Sequence, residues 1–263
     1  MSTSDVVDLR FEAGLARIRL RRPDAHNAID REVAYGLLDA ASACAARAGL
    51  RAVLIEAEGA NFTVGGDLRH LSGAGDDLPA ELQRMISRYH AALAQLGAIE
   101  VPVVTAVQGA AAGGGLGLLW CADVVIAADD ARLASGFARL GMTGDGGSSW
   151  AVTRLAGARR AWEFLAEGRV LTAVEAADWG LVSRVVPAAE LVAEAERTAR
   201  QLAEGPTRAY AHLRRLIGAA SRSSWSEQLD AERQVMAELA LTDDVGDGIA
   251  AFVERREPEF RGR

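Results

Sequence analysis

Apolar positions recur along this chain with two spacings, and the spacing changes from block to block. Val6, Val7 and Leu9, and then Leu15, Ile18 and Leu20, fall in short runs interleaved with arginines, as in half-buried strands. Ala13-Gly14 between the runs predicts a hairpin turn, although Leu15, Ile18, Arg17 and Arg19 alternate imperfectly. Arg22-Pro23-Asp24 ends the second run, and Asp30 is placed to cap a helix running to about Arg47. Ala52 to Ala57 is an apolar run of strand length. Ser72 to Pro79 is small, acidic and turn-rich, which predicts a mobile loop. Leu82, Met85, Ile86, Tyr89, Leu93 and Leu96 then follow helical spacing.

Farther on, Val101 to Val107 predicts a strand, Leu116 to Ala122 a helix and Val124 to Ala128 another strand. Gly141 to Gly147 is a glycine-rich loop carrying one carboxylate, Asp145, and Ser148-Ser149-Trp150 looks like a helix start. Thr172-Ala-Val-Glu175 is a capping-box pattern, and Val182 to Val186 is a last short strand. From Ala188 the pattern is helical, with a break at Gly205-Pro206. Strand–helix alternation followed by a helical tail predicts an α/β core over residues 1–203 and a helical C-terminal domain over 204–263.

Composition removes whole classes of function. The net charge is −7 and no basic run exceeds two residues, which argues against a nucleic-acid partner. All 29 basic residues are arginine, so neither a Schiff-base lysine nor a P-loop lysine exists. Cys44 and Cys121 are too few and too scattered for a disulfide framework or a zinc site, which implies a reducing, cytoplasmic setting. No secretory signal pattern is visible. The uncharged stretch Val101 to Ala122 holds Pro102, Gln108 and five glycines, so it reads as buried strand, loop and helix rather than a membrane span.

The candidate chemistry begins at Gly113-Gly114-Gly115. Backbone that breaks into glycines and restarts as a helix presents N–H groups with no intrahelical partner. Gly65-Gly66 precedes Asp67-Leu68 after another strand, and two such donors meeting on one oxygen would form an oxyanion hole. The triplet fails the dinucleotide fingerprint, because the sixth position from Gly113 is Leu118. Asp67 reads as a cap. Asp145 reads, on residue chemistry alone, as a turn residue or an N-cap. His26, His70, His90 and His212 have no metal-ligand spacing and read as structural or surface residues.

Five segments in order resemble the crotonase superfamily, the enoyl-CoA hydratases and isomerases. They are Arg22 to Ala28, Gly65-Gly66-Asp67-Leu68, Ala106 to Gly115, Gly141 to Gly147, and Asp247 to Arg256 with Pro258 and Phe260. The context Gly141 to Trp150 is most similar to the ring-epoxide phenylacetyl-CoA isomerase branch, with Gly144 where proline is usual. The resemblance implies a crotonase-like spiral of β-β-α units and an acyl-CoA thioester substrate. It also implies a homotrimer or dimer of trimers assembled through the C-terminal helices, with no separate cofactor, metal or membrane. By position it makes Gly66 and Gly114 the oxyanion-hole donors and Asp145 the proton shuttle. It makes Arg22, His26, Asn27, Val64, Asp67 and Leu68 substrate contacts, with Phe137, Trp120 and Trp150 as candidate pocket walls. Arg21, Arg22, Arg69 and Arg255 are candidates for the coenzyme's phosphates.

The hydratases of this superfamily carry two glutamates that are missing here, where Gly117 and Phe137 stand. Adding water needs a base for the water and an acid for carbon, whereas moving a proton between two carbons needs one group. The expectation is therefore an acyl-CoA isomerase working through a thioester enolate. A hydratase that uses Asp145 alone or with an acid from the Ser72–Glu81 segment, and a silent acyl-CoA-binding member, are the competing readings.

Overall fold

The computed structural model describes residues 5–263, so the first four positions of the expected core lie outside the described residues. Ala13 and Gly14 take φ of 47° and 80°, the two left-handed positions of a tight hairpin turn. Across it β1 (Val7–Glu12) pairs antiparallel with β2 (Leu15–Leu20). α1 (Arg31–Ala45) is capped by Asp30, whose side chain accepts from Val33 N at 3.0 Å. β3 (Ala52–Ala57) follows, then α2 (Leu68–Ser72), a 3₁₀ turn over Gly75–Asp77, and α3 (Leu78–Ala98). β4 (Val103–Val107) and β5 (Ala110–Ala112) lead through a 3₁₀ turn, Gly113–Leu116, into α4 (Gly117–Trp120). β6 (Val124–Ala128), β7 (Arg132–Ala134), α5 (Ser148–Ala156) and α6 (Ala158–Leu165) come next. β8 (Leu171–Thr172), α7 (Ala173–Asp178) and β9 (Arg184–Val186) complete the strands among the described residues. The tail is α8 (Leu191–Glu204), α9 (Thr207–Ala220), α10 (Trp225–Leu239) and α11 (Asp243–Glu254). No described helix is long and apolar enough to cross a membrane.

The strands form a six-stranded sheet, β1-β2-β3-β4-β6-β9, and a three-stranded sheet, β5-β7-β8. Every pairing after β1–β2 in the larger sheet is parallel, so its strands are joined by crossovers; their helices cover one face, and α8, which follows the last strand, covers the other. The α/β class expected from the sequence is therefore the one observed. Val53 and Ile55 join the core beneath α1 and α3, while Ala52 and Leu54 pack with Leu191, Ala195 and Ala199 of α8. A strand buried on both faces has no polar side, which is why Ala52 to Ala57 is nearly all apolar.

The same two faces account for the imperfect alternation in β2. Ala16, Ile18 and Leu20 point into the first core, whereas Leu15 belongs to the second. Arg17 and Arg19 share Leu15's face, where the parallel register sets Arg19 opposite Glu56. Glu56, only 6% exposed, accepts from Arg17 at 2.9 Å and from Arg19 Nε at 2.6 Å, and Arg17 continues to Glu196 of α8 at 3.1 Å.

Two expectations are corrected, and one strand was not expected. Ser72 to Pro79 is the end of α2, the Gly75–Asp77 turn and the start of α3, because Pro79 suits the first turn of a helix. Leu116 to Ala122 is only the short α4 after a 3₁₀ turn. β5 lies between β4 and the glycines; its alanines carry no strand preference, and pairing with β7 is what orders them.

Glu56→Ala would remove the carboxylate shared by two neighbouring arginines, leaving Arg17 with Glu196 and Arg19 with the more distant Glu58. The expected cost is about 3 kcal/mol, the low end for a broken buried pair because the Arg19 side chain is 31% exposed. Urea denaturation of the two proteins measures it.

Candidate active site

Two stretches of bare backbone meet at one place. Thr63 N donates to Ala110 O at 3.1 Å and Ala112 N to Thr63 O at 2.9 Å, which locks the Gly65-Gly66 loop beside the triplet. A Cβ on Gly65 would fall 2.8 Å from Ala112 O and 3.2 Å from Gly113 Cα, so only glycine fits there. Gly66 bridges Ile29 through its neighbours: Ile29 N donates to Gly65 O at 2.7 Å and Asp67 N to Ile29 O at 2.9 Å. That parallel pattern turns the Gly66 N–H outward with no backbone acceptor among the described residues. Gly114 N lies in the first turn of the 3₁₀ segment, where no intrahelical acceptor exists and no side chain caps it.

The three glycines of the triplet have three separate causes. Gly113 takes a φ of 55°. A Cβ on Gly115 would overlap the Thr63 methyl, so that position is closed by packing. A Cβ on Gly114 would sit 3.2 Å from Asp145 Oδ2. Gly146, at φ 59°, packs so tightly that its own Cβ would lie 2.6 Å from Gly114 O. The Gly141–Gly147 loop therefore rests directly on Gly114 and delivers Asp145 to it.

The N-cap of α5 is Gly147, with no side-chain cap, and only the Asp145 backbone oxygen bonds Ser148 N, at 3.1 Å. This removes the capping alternative for Asp145. Its Oδ1 instead lies 2.7 Å from His90 Nε2. His90 is exposed, as the surface reading expected, and α3 carries it to the one carboxylate of the loop, a partner the sequence did not indicate. Neighbouring Tyr89 is fully buried; burial first, then Cys121 and Asp145 nearby, push its phenol well above the ordinary range. It stays a hydroxyl and donates to Gly114 O at 2.7 Å.

Several expected substrate contacts are occupied within the chain. Asn27 is 1% exposed; its amide donates to Glu58 O and Asn61 O at 2.8 Å each, and its Oδ1 accepts from Arg22 N at 2.8 Å. It holds the turn together, and with every polar atom used it is corrected from contact to support. Arg22 lies 2.9 Å from Asp67 and 3.1 Å from Asp30, so its charge is neutralised by two helix caps rather than free for a phosphate. Asp67 caps α2 through Arg69 N and His70 N, as expected. Burial opposes its charge, but the His70 N–H and the Arg22 guanidinium outweigh it and hold the carboxyl below its ordinary value. Arg21 is engaged by Glu58 at 3.2 Å, while Arg69 and Arg255 are exposed. His26 is exposed, 3.1 Å from Asn61, and Val64 and Leu68 are exposed beside the glycine loop.

Of the two positions where glutamates are missing, 117 is closed to any side chain and 137 holds an apolar ring. A Cβ on Gly117 would lie 2.5 Å from Leu93 Cδ1, 2.8 Å from Gly146 O and 3.0 Å from Tyr89 Oη. Phe137 is half-buried, its ring tip 4.0 Å from the Cβ position of Gly113. Of the three acids in the Ser72–Glu81 segment, Asp76 and Asp77 lie in the Gly75–Asp77 turn, Asp77 paired with Arg84, and Glu81 is 3% exposed among Arg31, His70 at 2.7 Å and Arg84 at 3.1 Å. Hydrogen bonds from Arg31 and His70 hold it down at about 2. Trp120 and Trp150 border a separate groove of about 570 Å³ whose lining includes His90, Gly117 and Gly146, the neighbours of Asp145 and Gly114. Trp120 anchors its indole N–H on Ser148 at 3.1 Å, and Trp150 is 60% exposed.

Comparison with known proteins converges on one family. The enoyl-CoA hydratase/isomerase family profile matches residues 10–263. The 1,2-epoxyphenylacetyl-CoA isomerase of Escherichia coli K12 is 31% identical over 256 residues, covering 96% of this chain and 97% of that one. The 4-chlorobenzoyl coenzyme A dehalogenase-2 of an Arthrobacter species is 33% identical, over 85% of this chain and 80% of its own. The crystal structure of an enoyl-CoA hydratase from Polaromonas sp. JS666 superimposes with a TM-score of 0.91 at 32% identity, covering 97% of this chain and 99% of that one.

Glu81 binds α2 to α3 only as a carboxylate. Its folded pKa is depressed from 4.5 to about 2, so its contribution is complete above 4.5 and disappears as pH falls toward 2. The stability gap between the wild type and Glu81→Gln should accordingly close across that window. Denaturant midpoints measured at successive pH values follow it.

Proposed function

We propose that this chain, which belongs to the enoyl-CoA hydratase/isomerase family, is an acyl-CoA isomerase that moves a double bond, or rearranges an unsaturated acyl group, through a thioester enolate. The observation that carries the reading is the single carboxylate of Asp145, set against Gly114 and bonded to His90. The thioester oxygen accepts from Gly66 N–H and Gly114 N–H, so negative charge gathers where fixed donors already point. Each such donor typically lowers the barrier by about 2.7–4 kcal/mol. Asp145 removes a proton from carbon and returns it to the carbon at the other end of the allylic unit. No water is consumed. His90 occupies Oδ1, which leaves Oδ2, beside Gly114, as the basic atom.

Hydration is the weaker reading. It needs a second acid, yet Gly117 has no space for a side chain, Phe137 is apolar and Glu81 is locked among cations. A different alternative is favoured by His90. A carboxylate can attack carbon directly, and an adjacent imidazole can activate the water that later frees it. Two relatives named 4-chlorobenzoyl coenzyme A dehalogenases make an aryl thioester the substrate to test for that reaction. We also propose a homotrimer or a dimer of trimers, because Trp225, Met236, Leu241 and Phe252 of the C-terminal segment expose apolar surface.

Proton exchange in heavy water across 2-enoyl, 3-enoyl and arylacetyl thioesters tests enolate formation. Asp145→Asn should lower exchange by about 10²–10⁴-fold with the circular dichroism unchanged. Equal exchange in the variant would support a silent binder. Chloride release from 4-chlorobenzoyl-CoA without exchange elsewhere would favour the second reading. Gly117→Glu should lose stability and gain no hydration of crotonyl-CoA, read from the enoyl-thioester absorbance.

A further inference from the structure

We infer that the groove beside Trp120 and Trp150 receives the far, apolar end of an extended acyl group, so that this enzyme selects long or aryl-terminated thioesters over short ones. The inference rests on the acyl-CoA reading of the site and names the substrate class that the reading leaves open. The groove lies between α3, the end of α4, the start of α5 and α9, and its volume of about 570 Å³ is that of a small-molecule pocket. Its inner wall is formed by His90, Gly117 and Gly146. His90 is the hydrogen-bond partner of Asp145 and Gly146 its chain neighbour, so the groove begins one side chain away from that carboxylate.

The lining specifies what it can hold. Its two ionic side chains cancel, Arg214 Nε donating to Asp123 at 2.8 Å. Three of the four remaining guanidinium N–H groups are directed to the backbone oxygens of Ile99, Leu96 and Cys121. No charge is left over for a phosphate or a carboxylate, which excludes the nucleotide end of coenzyme A. The other walls are Leu93, the two indole rings and Ile217.

Two glycines add an independent argument. Gly97 and Gly218 lie in the last turns of α3 and α9 and face the groove. Neither takes positive φ, and a Cβ on either would meet nothing within 4 Å. Glycine is a poor helix former, and nothing inside the chain requires it at these two positions. What the missing side chains leave is open space, and it is space of the right polarity for an acyl chain.

The test uses binding of unreactive thioesters, followed by tryptophan fluorescence or calorimetry, so it does not depend on turnover. Decanoyl-CoA or phenylacetyl-CoA should bind at least about tenfold tighter than acetyl-CoA. The double variant Gly97→Leu/Gly218→Leu should erase that preference. Gly246→Leu, a comparable open helix position on α11 away from the groove, should retain it. Equal affinity for all three thioesters, or an undiminished preference in the double variant, would overturn the inference. So would a double variant that keeps its preference but sediments as a different oligomer, since the groove would then be a contact between copies. A strong chain-length preference in a protein that exchanges no protons would leave the groove standing and remove the isomerase reading instead.

Discussion

Everything at the candidate site depends on main chain touching main chain without intervening side chains. Gly65 lies on Ala112 and Gly113, and Gly146 lies on Gly114, at separations that a single Cβ would violate. Three segments distant in sequence are thereby held within one hydrogen bond's reach of each other. The contact also explains why donors can remain free. A peptide group buried by its neighbours cannot rotate to find another acceptor, so an unpaired N–H there stays aimed at whatever enters.

Charge is distributed so that one carboxylate remains available. Asp67 and Asp30 are used on helix caps and on Arg22, Glu56 on the arginines of β2, and Glu81 on Arg31, His70 and Arg84. Asp145 has no arginine partner; a histidine on α3 bonds one of its oxygens and leaves the other beside Gly114. A carboxylate clamped by guanidinium is a poor base, because the cation stabilises the ionised form that must accept the proton. The imidazole contact orients the group through one oxygen.

Packing shapes the candidate site as much as charge does. A glutamate at position 117 is excluded by Leu93, Tyr89 and the Gly146 carbonyl together, so the site is built around the absence of that side chain. On the far side of His90 lies a groove walled by Leu93, Trp120, Trp150 and Ile217.

Much of this was legible along the chain. The hairpin at Ala13-Gly14, the caps at Asp30, Asp67 and Thr172, the two-faced strand Ala52 to Ala57 and the helical tail follow from local rules of period and capping. The glycine clusters and the lone Asp145 are sequence facts too. Partnership was not legible. That His90 meets Asp145 across 55 positions, that Asn27 and Arg22 turn inward, and that Ala110–Ala112 becomes a strand are all consequences of where distant segments dock. Local sequence determines torsion preferences and periodic faces, which act over a few residues. Only the tertiary structure decided which polar atoms met each other and which were left for a substrate, because hydrogen bonds and excluded volume act between atoms in space, wherever the chain brings them.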